Sequence, residues 1–196
     1  SSIIGYIYMR SENGIIRKAV KKILEKNPQL FSNKNNSSEE ILELIKQGES
    51  EEIEFKSTFR TNLHTNEFDK KIEYSALKTL TAFLNSDGGT LLLGINNEGK
   101  ILGIEQDKFP DIDKFNLYLI SIIKGKLGKK HFHLIDIKNN SIDNKTIVKL
   151  SCKKSKNPIF LKSYLNEEEF YVRMGPSSAQ LKGSELVDYI NRRFTK

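Results

Sequence analysis

The chain predicts an α+β fold: a mainly antiparallel mixed sheet flanked by helices, with an N-terminal helical extension. Three observations lead there. Apolar residues recur every three or four positions in several separate segments, as on amphipathic helices. Between these lie short alternating or continuously apolar runs, as in strands. Hairpin-type turns such as Asn96-Asn97-Glu98-Gly99 adjoin those runs, so helices and hairpins are mixed rather than in strict βαβ alternation.

The elements follow in order. Glu12 to Lys26 reads as a basic amphipathic helix with Ile15, Ile16, Ala19, Val20, Ile23 and Leu24 on one side, stopped by Asn27-Pro28. Ser32 to Ser37 is polar and coreless, a linker by composition, and divides a 1–36 extension from a 37–196 domain. Ser38 is placed to cap a second helix ending at Gly48. Ile53 and Phe55 alternate with Glu52, Glu54 and Lys56 as a half-buried strand, and Phe59 to His64 reads as loop. Phe68, Ile72, Ala76, Leu80 and Phe83 give a long helix to about Leu84, broken by Asn85-Ser86-Asp87-Gly88-Gly89. Leu91 to Ile95 is apolar on both faces, a central strand, and Lys100 to Ile104 returns beside it. A helix at Ile112–Lys126 precedes strands near His131–Lys138, Lys145–Cys152, Ile159–Leu161 and Phe170–Arg173, and Ser184 caps a last helix.

Composition narrows the function. The 196 residues carry a formal net charge of +7, unevenly placed. Residues 37–120 hold 9 basic and 16 acidic groups, whereas residues 121–162 hold 11 and 2, a footprint suited to a phosphate backbone. The single cysteine, Cys152, excludes an internal disulfide and any multi-cysteine zinc site, and fits a reducing cytoplasm. No apolar run reaches the 18 residues of a membrane span. Three histidines and one cysteine leave little material for a nucleophilic triad.

Glu49, Glu51, Glu52 and Glu54 crowd into six residues. They fit either metal ligation beside a bound polyanion or a solvated strand edge whose charges discourage pairing. Lys56 fits either a phosphate contact or a pair with Glu54. The amides of Gly88-Gly89 could meet a phosphate, although a helix C-cap is the simpler reading; no P-loop pattern is present. Lys124, Lys126, Lys129 and Lys130 form one lysine cluster, and Lys153, Lys154 and Lys156 another. Point charges of this kind suit sequence-independent phosphate contacts. Tyr171 and Arg173 share a strand face; Arg173 is expected on phosphate, Tyr171 either on a base or in the core. Ser177 and Ser178, in the turn that follows, can donate to phosphate. His131 and His133, two apart on one strand face, fit either a metal pair or a surface pair; with no third ligand nearby, the surface pair is expected.

Glu49-x4-Glu54-Phe55-Lys56, then Ala82 to Ile95, Gly99 to Ile104, Pro158, and Phe170 to Ser178 together resemble the Schlafen-type AlbA domain, over about residues 38–194. The resemblance implies a nucleic-acid-binding α+β module, often attached to other domains in transcriptional regulators or defence proteins. Some animal relatives cleave transfer or ribosomal RNA with three carboxylates and a divalent metal, and pair two such lobes around one cleft. Carried over, two carboxylates fall on Glu49 and Glu54, and the third position falls on Asn97, with Glu98 beside it. Asn offers a neutral carbonyl but no charge, where Mg²⁺ or Mn²⁺ favours anionic oxygens. The expectation is therefore a cytoplasmic, homodimeric binder of DNA or structured RNA. The alternatives are a metal-dependent endoribonuclease using Glu49, Glu54 and Asn97 or Glu98, and a docking part of a larger protein.

Overall fold

The computed structural model describes Lys22 and residues 29–195, with the side chains of 29–36 set aside. Apart from Lys22, the amphipathic helix expected at residues 12–26 lies outside the described residues.

Helix α1 (Gln29–Gln47) starts well before Ser38 and runs through the polar stretch expected as linker. Its Ile41, Leu44 and Ile45 cover one face of a four-stranded sheet, against Ile53, Phe55, Leu92 and Ile147. The half-exposed Glu40 holds the ammonium of the buried Lys149 at this junction.

The sheet order is β1 (Ile53–Lys56), β4 (Gly89–Leu93), β6 (Lys145–Cys152), β5 (Ile135–Ile142). β1 and β4 are parallel and the other pairs antiparallel, so the sheet is mixed. Its second face, with Leu91, Leu93, Val148 and Leu150, packs on α2 (Lys70–Asn85) and α3 (Ile112–Leu127) in the main core. The continuously apolar β4 is central because it is covered on both faces.

That position changes the hairpin expectation. β4 has β1 on one edge and β6 on the other, so 100–104 finds no free edge beside it. The returning chain makes one bridge, Ile95 to Ile101, then enters a 3-10 turn, Ile104–Asp107. Gly94 and Gly103 let the backbones cross: a Cβ on Gly94 would lie 3.0 Å from the Gly103 carbonyl carbon. The buried Asp107 then accepts the N–H groups of Phe59, Arg60 and Thr61 at 2.7–2.9 Å, fixing the loop after β1. That loop holds a two-residue hairpin, β2 (Thr61–Asn62) and β3 (Glu67–Phe68). Phe68 sits there half exposed, not on α2, whose N-cap is Asp69.

A second sheet, β7 (Leu161–Lys162), β8 (Glu168–Met174), β9 (Ser177–Leu181), packs on α2. The buried Asn85, at the end of α2, joins it to the core. Its amide donates to Ile159 O and Tyr171 O and accepts from Ile159 N, at 2.8–3.0 Å. Ser177 and Ser178 belong to β9 and not to a turn, and the last helix α4 (Gly183–Phe194) starts after Lys182 without a side-chain cap. No described helix is long and apolar enough to cross a membrane.

Candidate nucleic-acid interface

The acid-rich stretch divides sharply. Glu51 and Glu52 are exposed. Glu49 accepts the Phe55 N–H at 3.0 Å, and Ser50 N donates to Ile53 O at 2.8 Å, so the 49–50 backbone and a carboxylate cover the outer edge of β1. Glu54 and Lys56 lie on the face shared by their β4 partners Leu91 and Leu93, next to the main core. Glu54 is only 9% exposed. Lys56 Nζ reaches its Oε1 at 2.5 Å and Arg173 its Oε2 at 3.1 Å.

Arg173 is the centre of this arrangement. Its guanidinium donates to Ser50 O at 2.7 Å, Glu51 O at 3.1 Å, Glu54 Oε2 and Ser178 Oγ at 3.2 Å, and stacks over Phe83. The Arg173 side chain is 1% exposed, so its donors face inward and not toward a bound phosphate. A strand-face argument from Tyr171 and Arg173 could not reveal this, because Ser50, Glu51 and Glu54 lie over 100 residues away in sequence. Tyr171 is buried too, with its hydroxyl on Glu169 at 2.6 Å.

A divalent metal does not fit the residues carried over for it. Glu54 has both oxygens engaged by cationic side chains, and Glu49 is turned onto a backbone N–H. Asn97 is exposed in a turn that Asn96 closes by accepting the Glu98 and Lys100 N–H groups at 3.1 and 2.8 Å. Among the described residues, no three His, Cys, Asp or Glu side chains group as metal ligands. His131 and His133 lie in a 3-10 turn, Lys129–Leu134, and not on a strand.

The Gly88-Gly89 turn is also internal. Gly88 N donates to Phe83 O at 3.0 Å, ending α2. Any side chain would collide there, since a Cβ on Gly88 would sit 2.6 Å from Cys152 O and one on Gly89 2.3 Å from the Phe83 ring.

The lysine clusters behave differently. β5 and β6 pair Ile135 with Cys152, and Lys153 N donates to Leu134 O at 2.9 Å. The 129–134 turn and the 153–157 loop are therefore neighbours, and Lys129, Lys130, Lys153, Lys154 and Lys156 are all exposed. Ser155 ties the loop to α2 through Leu84 O, and Arg193 donates to both Ser86 O and Ser155 O. This brings Arg193 of α4 to the same strip. Regional charge alone missed it, because residues 163–196 hold 5 basic and 5 acidic groups.

Beside this strip, between α2, α3 and the second sheet, two sheltered carboxylates are held by tyrosines. Glu73 accepts from Tyr118 and from Tyr164, the latter at 2.6 Å. Glu169 accepts from Tyr74 at 2.5 Å and Tyr171 at 2.6 Å. Burial and the bond to Glu73 push the Tyr118 phenol up to about 12. Lys126, whose Nζ donates to Ser163 O and lies over the Tyr164 ring, is held below the usual lysine range by burial.

Comparison with known proteins is consistent with this architecture. A family model described as Schlafen, AlbA_2 matches residues 49–182. The DIP2311 protein from Corynebacterium diphtheriae has a similar structure, with a TM-score of 0.52 and 16% identity over 73% of this chain. This chain spans only 27% of that one. The N-terminal domain of a RecG-related protein from Nitrosomonas europaea is similar at 23% identity, with a TM-score of 0.45, over 74% of this chain and 94% of that one. No curated protein matches.

Proposed function

This chain belongs to the Schlafen, AlbA_2 family, and on that premise we propose that it binds nucleic acid through backbone phosphates. One observation carries the reading: the 129–134 turn and the 153–157 loop are joined at Leu134 O, so two lysine clusters far apart in sequence make one exposed strip. Exposed lysines release counterions when they meet phosphates, so affinity should fall steeply with salt and depend little on base sequence. Fluorescence anisotropy with duplex DNA and structured RNA across a salt series tests this. Affinity that hardly changes between low and moderate salt defeats it.

The arrangement around Glu54 favours binding over metal-dependent cleavage, because its carboxylate completes a buried arginine clamp. In this reading the chain serves a larger cytoplasmic regulator or defence protein, residues 1–36 are a separate extension, and the active form is a homodimer that doubles the basic strip. Light scattering that finds only a 22.5 kDa species, with and without nucleic acid, rejects the dimer.

A further inference from the structure

A cavity of about 270 Å³ opens between the C-terminal end of α3 and the second sheet, next to the lysine strip. Its lining is chemically mixed. Leu127, Pro158 and Phe160 are its apolar residues, and Phe160 is half-buried, backed by Phe170 at 5.3 Å between ring centroids. Lys126, Lys130 and Lys162 are its basic residues, with Glu168 as the opposing charge. With the Lys126 ammonium committed to Ser163 O, the ammonium groups of Lys130 and Lys162 against the Glu168 carboxylate still outweigh the roughly half negative charge at the end of a helix such as α3. His131 also lines the cavity, and burial, then Lys130 and His133, hold its imidazole below the ordinary range. Near pH 7 it therefore offers one ring donor and one acceptor.

An aromatic ring and lysines lining one cavity fit a ligand with a planar ring and an anionic group. The volume lies just under the ~300–1,000 Å³ typical of small-molecule pockets, enough for one such unit and too little for stacked base pairs. We propose that this cavity takes a single unstacked nucleotide of a bound strand, its base against Phe160 and its phosphate between Lys130 and Lys162. The proposal rests on the nucleic-acid reading and adds a preference to it: duplex can use the strip alone, whereas a single strand uses strip and cavity together.

The test compares a single-stranded oligonucleotide with a duplex of equal length, by anisotropy, on the full chain and on Phe160→Leu and Phe160→Tyr. Aromatic stacking on a base contributes about 1–3 kcal/mol, so Phe160→Leu should weaken single-strand binding at least about fivefold. Duplex binding should stay within about twofold, and Phe160→Tyr should retain single-strand affinity. Equal losses on both nucleic acids, or none, overturn the cavity and leave the nucleic-acid reading standing. A second arm titrates adenosine monophosphate and inorganic phosphate, following the His131 imidazole by NMR. The monophosphate should shift that resonance at lower concentration than phosphate alone. No shift overturns the cavity. A shift in a protein that binds neither oligonucleotide keeps the cavity and overturns the nucleic-acid reading.

Discussion

The acid-rich stretch around β1 and the lysine strip formed by the 129–134 turn and the 153–157 loop are both densely charged, yet the fold uses their charge in opposite ways. At β1 the charges turn inward. Glu54 meets Lys56 and Arg173, Glu49 meets a backbone amide, and Arg173 has its donors filled by carbonyls and side chains. On the strip the charges stay in water, and even Lys154, 3.6 Å from Asp87, remains largely open along with its partner. A buried ion must be paired or it destabilises the fold, whereas an exposed one can exchange water and counterions for a ligand at little cost. Charge density alone therefore does not mark a site; burial separates the two uses.

The comparison can be broken most forcefully at Arg173. Arg173→Met leaves Glu54 without its buried partner and two carbonyls without donors, so stability should drop by about 3–5 kcal/mol in urea unfolding. A change below about 1 kcal/mol would mean the clamp is not structural. Glu54→Gln keeps the shape but removes the charge from two hydrogen bonds, and a loss of about 1–3 kcal/mol is expected. Incubated with Mn²⁺ and transfer RNA, wild type and Glu54→Gln should behave alike; cleavage by wild type alone would restore a catalytic role for Glu54.

Acid should act on the tyrosine-held Glu169 more than on the strip. Burial pushes the Glu169 carboxyl up, but the Tyr171 and Tyr74 hydroxyls and nearby Lys182 and Lys78 pull it down further, to a net position below 4.5. A depressed carboxylate contributes stability that is full above the unfolded value and lost as pH falls through the folded one. The melting temperature should thus decline below about pH 4.5, less so in Glu169→Gln. The smallest stability effect belongs to the strip. Lys129→Glu, Lys153→Glu and Lys156→Glu combined should shift stability by only about 0.5 kcal/mol per site or less. The same triple variant should weaken binding to all sequences alike and lower the salt slope by about three. Intact binding in a folded triple variant would remove the strip from the proposal.

Much of this was legible in the chain. Periodicity located α2 and α3 to within a few residues, and the two-sided apolar run of β4 identified the central strand. Element ends were less legible where neighbours decide them. Lys100 to Ile104 has strand-like residues, but β6 occupies the edge it would need. Ser177 and Ser178 look like turn residues, but β8 supplies an edge that draws them into β9. At the site, the lysines were visible as a block, whereas Arg193 was hidden in a neutral segment.

By itself the sequence determined the α+β class, the family blocks and the uneven charge. These depend on local residue pattern. Only the tertiary structure decided which charges are free. Glu54 and Arg173 are 119 residues apart and Lys153 meets the 129–134 turn across a strand pair. Whether a charge is buried depends on partners brought from distant segments, and burial decides whether it holds the fold together or remains open to a ligand.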